Sequence, residues 1–458
     1  MATYTPQTAI PIADAPPYPL EMSGFGCNAC TAGVIPIGDS FYVVNSSAPS
    51  GVGSITVSKS TDKGATWTNM DTANEPTATS DTSGGVITLR GSIITAAFFD
   101  GDTGPPIHLY DYDTSTDTWG AAYGTFGAPT IESSGSGSGI NCRYRSSTND
   151  VVVAYAGDGG SGLWAASYDL TSATWSTPFD LGINITTLAG WAAAAPRILS
   201  GALTSCQDGN DNIYFFFPTS FNFVDATWTD RVFFQLLTSE NGVPDSAATF
   251  YDFPGQGETS PLYIDVVSPL GVPSLAGSNL VFPIRRSFGT HGLGYAGMYV
   301  GIGAPAISSW TAAIAVDPGF VPPFIDTAEN GPASWFDGTT LYMLYIGFDD
   351  VSTTDVQQLR LTQCIPTGDP STWIWTAQTV AKITDIAYAG VAENFFSPMV
   401  SVAGDLVQIV VTATTNDPEF ASAVFWLGNG ELPQGIGASF FGTFLGFASA
   451  GRIGGGTK

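Results

Sequence analysis

Basic residues are scarce in this chain. Its 458 residues carry 13 Lys and Arg against 40 Asp and Glu, a net charge of −27. That balance argues against a nucleic-acid duplex or an anionic lipid face as partner, because the field repels phosphate. The same charge keeps a Lys-poor surface soluble. Histidine is scarcer still. His108 and His291 are too few for a multi-histidine metal centre, and no motif supports a serine triad built on either. Neither G-x-S-x-G nor the phosphate loop G-x-x-x-x-G-K-S/T occurs. The five cysteines are too few and too scattered for a disulfide framework. Cys27 and Cys30 form a C-x-x-C, but zinc would need two further ligands, and Cys142, Cys206 and Cys364 each stand alone. A redox motif would want a βαβ context, which is missing. The pair reads as two small residues near a turn, with a local disulfide as the alternative. Residues 1–20 lack the basic and apolar stretches of a secretory signal. An extracellular role would then need lysis, another export route or a precursor segment.

Helical periodicity is nearly absent, and short β-rich runs recur in its place. They include "FYVV" (41–44), "SIITAAFF" (92–99), "DVVVAYAG" (150–157), "NIYFFFP" (212–218), "NLVFPIR" (279–285), "LYMLYIGF" (341–348) and "LVQIVVTA" (406–413). Each follows a polar turn signal such as "GDS", "RGS", "TND" or "DGNDN", the pattern of bounded strands. A loop, a second run and a turn with a Trp then follow. Trp67, Trp119 and Trp175 are 52 and then 56 residues apart, and looser units end at Trp310 and Trp373. Units begin near residues 34, 84, 139, 192, 261, 329 and 393. Four short strands per unit is the signature of propeller blades. The expected fold is an all-β propeller of seven four-stranded blades, with six as the runner-up. Its domain plan is an extended segment 1–33, a propeller 34–433 and a Gly/Phe-rich apolar tail 434–458.

One segment carries a family resemblance. "STDKGATW" (60–67) reads S-x-D-x-G-x-T-W and resembles the Asp-box of sialidase-like (BNR-repeat) propellers. The physics fits a hairpin: Ser60 and Asp62 bond turn amides, Gly64 takes a shape that a Cβ resists, and Trp67 packs over the joint. "YDYDTSTDTW" (110–119) and "SYDLTSATW" (167–175) look like versions without the Gly. In that family the box joins the third and fourth strands of a blade, away from the ligand, so the resemblance implies a structural role. It also implies, for catalysis, three arginines, a Tyr–Glu nucleophile pair and an acid Asp. The chain has only nine Arg, and the family's early F/Y-R-I-P motif is missing. Its nearest echoes hold Arg197, Arg285 and Arg286, which read as ordinary blade residues. Glu258, Glu329 and Glu393 precede apparent blades and read as solvated loop acids before channel-facing ones. No catalytic residue is assigned.

Binding features are better marked. Loops joining second and third strands would lie on the ligand face: 100–106, 158–162, 218–230, 287–292 and 348–355. The longest, "PTSFNFVDATWTD" (218–230), offers Phe221, Phe223 and Trp228 among small polar residues, and His291 sits in 287–292. Aromatic platforms rimmed by polar groups suit sugars. The competing reading packs these rings between blades. No metal site or cofactor is expected. Ca²⁺ is the one candidate ion, through the acidic turns 100–104, 156–162 and 208–212, none of which fits a full calcium loop.

The stretch 432–451 holds no charge and is long enough to reach the range for spanning a bilayer. Its glycines, its proline and the lack of a flanking basic cluster favour burial on a partner subunit, or use as the ring-closing strand, over membrane contact. Residues 1–33 are expected to lie along the ring or dock on a neighbour. These features together suggest a non-enzymatic structural or receptor-binding protein of a virus particle, such as a bacteriophage tail, held by its termini and binding a host glycan or receptor. The alternatives are a free extracellular lectin-like propeller and a glycoside hydrolase.

Overall fold

The computed structural model describes residues 10–13, 34–47, 53–64, 66–78, 86–99, 107–124, 126, 140–156, 162–184, 197–198, 204–222, 228–237, 249–252, 274–288, 293–311, 314–317, 332–348, 356–382, 384, 392–403, 406–415, 422–426 and 430–431. The chain opens with β1 (Ile10–Ala13). Sheet one holds β2 (Ile35–Ile37), β3 (Ser40–Ser47), β4 (Gly53–Ser60), β5 (Thr68–Met70) and β6 (Thr77–Ala78). Sheet two holds β7 (Val86–Arg90), β8 (Ile93–Phe99), β9 (Ile107–Asp113) and β10 (Thr118–Trp119). Sheet three holds β11 (Ile140–Arg145), β12 (Asp150–Ala156), β13 (Gly162–Asp169), β14 (Thr174–Trp175) and β15 (Phe179–Asn184). Sheet four holds β16 (Arg197–Ile198), β17 (Thr204–Gln207), β18 (Ile213–Asn222), β19 (Trp228–Leu237) and β20 (Thr249–Asp252). Sheet five holds β21 (Ser274–Ala276), β22 (Asn279–Phe288), β23 (Leu293–Ile302), β24 (Ser309–Trp310) and β25 (Ile314–Ala315). Sheet six holds β26 (Ala333–Phe336), β27 (Leu341–Phe348), β28 (Gln357–Cys364) and β29 (Thr376–Lys382). Sheet seven holds β30 (Ala392–Ala403), β31 (Leu406–Thr415), β32 (Ser422–Trp426) and β33 (Gly430–Glu431).

Among the described residues the strands thus pair antiparallel into seven sheets of four or five strands, a β-propeller. Successive first strands pack side by side: β7 on β11, β11 on β17, β17 on β21, β21 on β26 and β26 on β30. They therefore form the inner ring. Apolar seams join neighbouring sheets. One runs through sheets six, seven, one and two, with Leu344, Val400, Ile409, Val44, Val57 and Tyr112. Others pack Leu109 on Val151 and Val153, Phe216 on Phe282, and Val281 on Met343. Strand alternation makes this economical, since each sheet buries both faces. Fully burying one such side chain contributes roughly 1.5–3 kcal/mol.

Part of the N-terminal segment lies along the ring, one of the two placements expected for it. β1 pairs with β32, Ile10 opposite Trp426, and completes sheet seven from the outside. The outer edge of β32 would otherwise present unpaired backbone. Residues 432–458, Cys27 and Cys30 lie outside the described residues.

The turn signals of the sequence join first to second strands. Asp208 Oδ1 accepts from the Asn210 and Asn212 amides (2.8 and 3.0 Å), and Tyr214 donates to Oδ2. Asp337 repeats the arrangement with Thr339, Thr340 and Tyr342. The third-to-fourth connections repeat as well. Trp119 pairs with Tyr112 and Trp175 with Tyr168, each couple edge-on at 5.2 Å.

Candidate functional site

The two ends of the ring are built differently. At one end lie the first-to-second and third-to-fourth connections, where carboxylates clamp turns. The fullest joins β4 to β5. Ser60 Oγ accepts from the Gly64 amide (2.8 Å) and donates to Asp62 Oδ1 (2.8 Å). Asp62 accepts from the Thr66 amide (2.8 Å) and hydroxyl (2.6 Å), and Trp67 Nε1 donates to the Gly64 carbonyl (3.0 Å). Those donors, the Thr66 hydroxyl foremost, hold the Asp62 carboxyl below its ordinary range. Gly64 has φ +94°, whereas Asp117 and Ala173 in the corresponding turns of sheets two and three have φ +54°. The missing glycines are therefore replaced by residues that take the left-handed shape. Asp117 puts that shape to use: Lys59 Nζ of sheet one reaches its Oδ2 at 2.5 Å.

The second-to-third connections leave the opposite end. Here the structure corrects the 218–230 loop. β18 and β19 form a ten-pair hairpin, Ile213 opposite Leu237 through Asn222 opposite Trp228. Phe221 is the last residue but one of β18 and pairs with Thr229, and Trp228 opens β19. The two are one register step apart, and strand pairing, not a loop, carries them away from the Asp208 turn. Phe223 and His291 lie outside the described residues, as do Glu258 and Glu329, the acidic loop 100–104 and most of 156–162. Glu393 lies on β30, Arg197 on β16, and Arg285 and Arg286 on β22. The Asp208 carboxylate of the third acidic turn is occupied by its own turn amides.

Sequence reasoning missed a polar joint in the inner ring. On β11, Ile140 and Cys142 pack on sheet two, while the alternate residues Asn141, Arg143 and Arg145 take the other face, toward sheet four. Ser205 on β17 donates its hydroxyl to Asn141 Oδ1, and Arg143 Nη2 donates to the Ser205 carbonyl. Gln207 Nε2 donates to the Tyr144 carbonyl (2.8 Å). Arg145 is buried in a two-pronged pair with Asp150, its Nε at 2.9 Å from Oδ1. Around the ring, the Tyr144 amide donates to Thr88 Oγ1 (2.8 Å) and Ser334 to Ser274 (3.0 Å). The available signal was "NCRYR" (141–145), two of nine arginines in one alternating strand.

Two further arginine–aspartate pairs brace the sheets. Asp317 Oδ2, at the end of sheet five, accepts from Arg360 Nη2 (2.6 Å) and Tyr345 Oη (2.5 Å) of sheet six. Asp111 accepts from Arg90, Thr95 and Tyr123. Burial and the neighbouring carboxylates push both tyrosines well above their ordinary range, so neither supplies a phenolate near neutral pH. Among the described residues no group of three or more His, Cys, Asp or Glu is placed to hold a metal ion, and no helix is long and apolar enough to cross a membrane.

No protein-family model matches the chain, and no curated protein sequence matches it. Solved structures do. An ulvan lyase of a polysaccharide lyase family, bound to -[GlcA(1-4)Rha3S]-, aligns over 87% of this chain and 94% of its own with TM-score 0.50 and 10% identity. The α-L-arabinanase of Penicillium chrysogenum aligns over 78% and 98%, with TM-score 0.44 and 13% identity. A mutant Trypanosoma rangeli sialidase with trans-sialidase activity aligns over 93% and 60%, with TM-score 0.40 and 10% identity. At the level of fold the chain resembles sialidase-like propellers.

Proposed function

We propose that this chain is a glycan-binding β-propeller, serving as a receptor-binding or structural component of a virus particle. The observation that carries the glycan reading is the hairpin 213–237. It takes Trp228 to the end of the ring opposite the aspartate-clamped turns, with Phe221 one register step away at a position on the alternate face of the hairpin. Aromatic faces bordered by small polar residues suit the apolar patches of sugar rings. The ulvan lyase, bound to a saccharide, has the same fold, which makes a glycan a natural ligand class. The particle setting is supported by the acidic, Lys-poor composition and by the uncharged stretch 432–451. The segment Ser60–Trp67 we read as an Asp-box with a purely structural role.

The test is a glycan array with the full chain and with Trp228→Ala, followed by product analysis on the glycans retained. Retention without cleavage, lost in the variant, supports the proposal. Released product would make the chain a glycoside hydrolase or lyase, and unchanged retention by the variant would remove the hairpin as the platform. Sedimentation of the source material tests the setting: co-migration with a large particle at fixed stoichiometry is expected, and a free monomer overturns it.

A further inference from the structure

We propose that the joint between sheets three and four binds a small monovalent anion of chloride size, with Arg143 as its cation. Arg143 lies in the middle of β11 and is 3% exposed. Its guanidinium has five N–H donors. Nη1 donates to the Cys142 carbonyl (3.3 Å) and Nη2 to the Ser205 carbonyl. Nε is buried and meets no acceptor among the described residues. The two acceptors are neutral, so they satisfy hydrogens and leave the charge uncompensated.

Three other arginines make a sharp contrast. Arg90 pairs with Asp111, Arg145 with Asp150 and Arg360 with Asp317. In a chain with 40 acids and 13 bases, this buried joint holds an arginine bonded to no carboxylate among the described residues. Burial does not discharge it. It lowers the guanidinium to about 10, which leaves the group charged at neutral pH. The neighbouring thiols give no counter-charge either, because burial pushes Cys142 up to about 12 and Cys206 higher. A buried cation without a partner anion is strongly unfavourable, and a bound anion removes that cost. The near-complete burial excludes a sugar ring, which separates this site from the glycan platform. An anion here would also tie β11 to β17, and so sheet three to sheet four.

The experiment is chloride NMR line width on the full chain in a fluoride background, with bromide as competitor. The expected result is excess broadening that bromide removes. It should be lost in Arg143→Gln and kept in Lys63→Gln, where the lysine is exposed. In parallel, replacing fluoride by chloride at constant ionic strength should raise the thermal midpoint of the wild type saturably, by about 2–4 °C. Broadening that persists in Arg143→Gln overturns the assignment. If that variant does not fold, the wild type decides: no competed broadening and no saturable chloride dependence overturn the proposal.

Discussion

Replacing Gly64 by Ala and Ala173 by Gly should move stability in opposite directions. Both residues sit in turns that lead from a third to a fourth strand, at φ +94° and +54°. A Cβ in left-handed backbone costs about 1–2 kcal/mol. Removing a glycine also narrows the unfolded ensemble, which returns about 0.4–1 kcal/mol. Gly64→Ala should therefore destabilise by about 1 kcal/mol. The turn cannot relax freely, because the Gly64 amide is bonded to Ser60 Oγ and its carbonyl to Trp67 Nε1. Ala173→Gly runs the same balance backwards and should stabilise by about 0.5–1 kcal/mol. Urea unfolding followed by tryptophan fluorescence reads both as midpoint shifts at unchanged slope. A neutral Gly64→Ala, or an Ala173→Gly that lowers the midpoint, would refute the reasoning that turn shape, and not the identity of the motif, sets these energies.

Two further outcomes follow from the carboxylates. Asp150→Asn should destabilise by about 3–5 kcal/mol, since it strips the anion from a pair whose side chains are 3% and 8% exposed. Thermal melting checks this, and a shift below about 1 kcal/mol would count against a buried pair. Asp62 is held below its ordinary value of 3.8 by the Thr66 hydroxyl and amide and by the Ser60 hydroxyl. A folded value below the unfolded one gives a contribution that is full above pH 3.8 and vanishes as pH falls through the folded value. The midpoint gap between wild type and Asp62→Asn should thus be constant near neutrality and narrow below pH 3.8, in melts taken across acid pH. A gap that widens on acidification would contradict the sign.

What the sequence discloses here is what local chemistry encodes. Alternating runs, Asp- and Gly-bearing turns and a Trp in or just before the fourth strand of five sheets are short-range signals. Trp119, Trp175 and Trp310 lie on fourth strands, and Trp67 and Trp373 just precede them. First strands start at Ile35, Val86, Ile140, Arg197, Ser274, Ala333 and Ala392, and the largest offset from the unit starts is in sheet five. Three things stayed hidden. Strand β1 has four residues, one of them proline, and its partner lies more than 400 positions away. Hairpin 213–237 carries Pro218 inside a paired strand, a residue that reads as loop because it cannot donate to the ladder. The polar joint is a contact between sheets, and a strand such as "NCRYR" does not state which neighbour its polar face will meet.

Sheet seven has an implication for how the molecule is made. Strand β1 is synthesised long before the strand it pairs with, Ser422–Trp426. The other sheets can order during synthesis, since their strands are consecutive, but the seventh cannot be completed until residue 426 has been made. Residues 10–13 must wait unpaired for the whole of that interval. Their union then converts an open row of sheets into a closed circle in one late step, and a nascent chain cut short anywhere before residue 422 would keep a free edge at both ends.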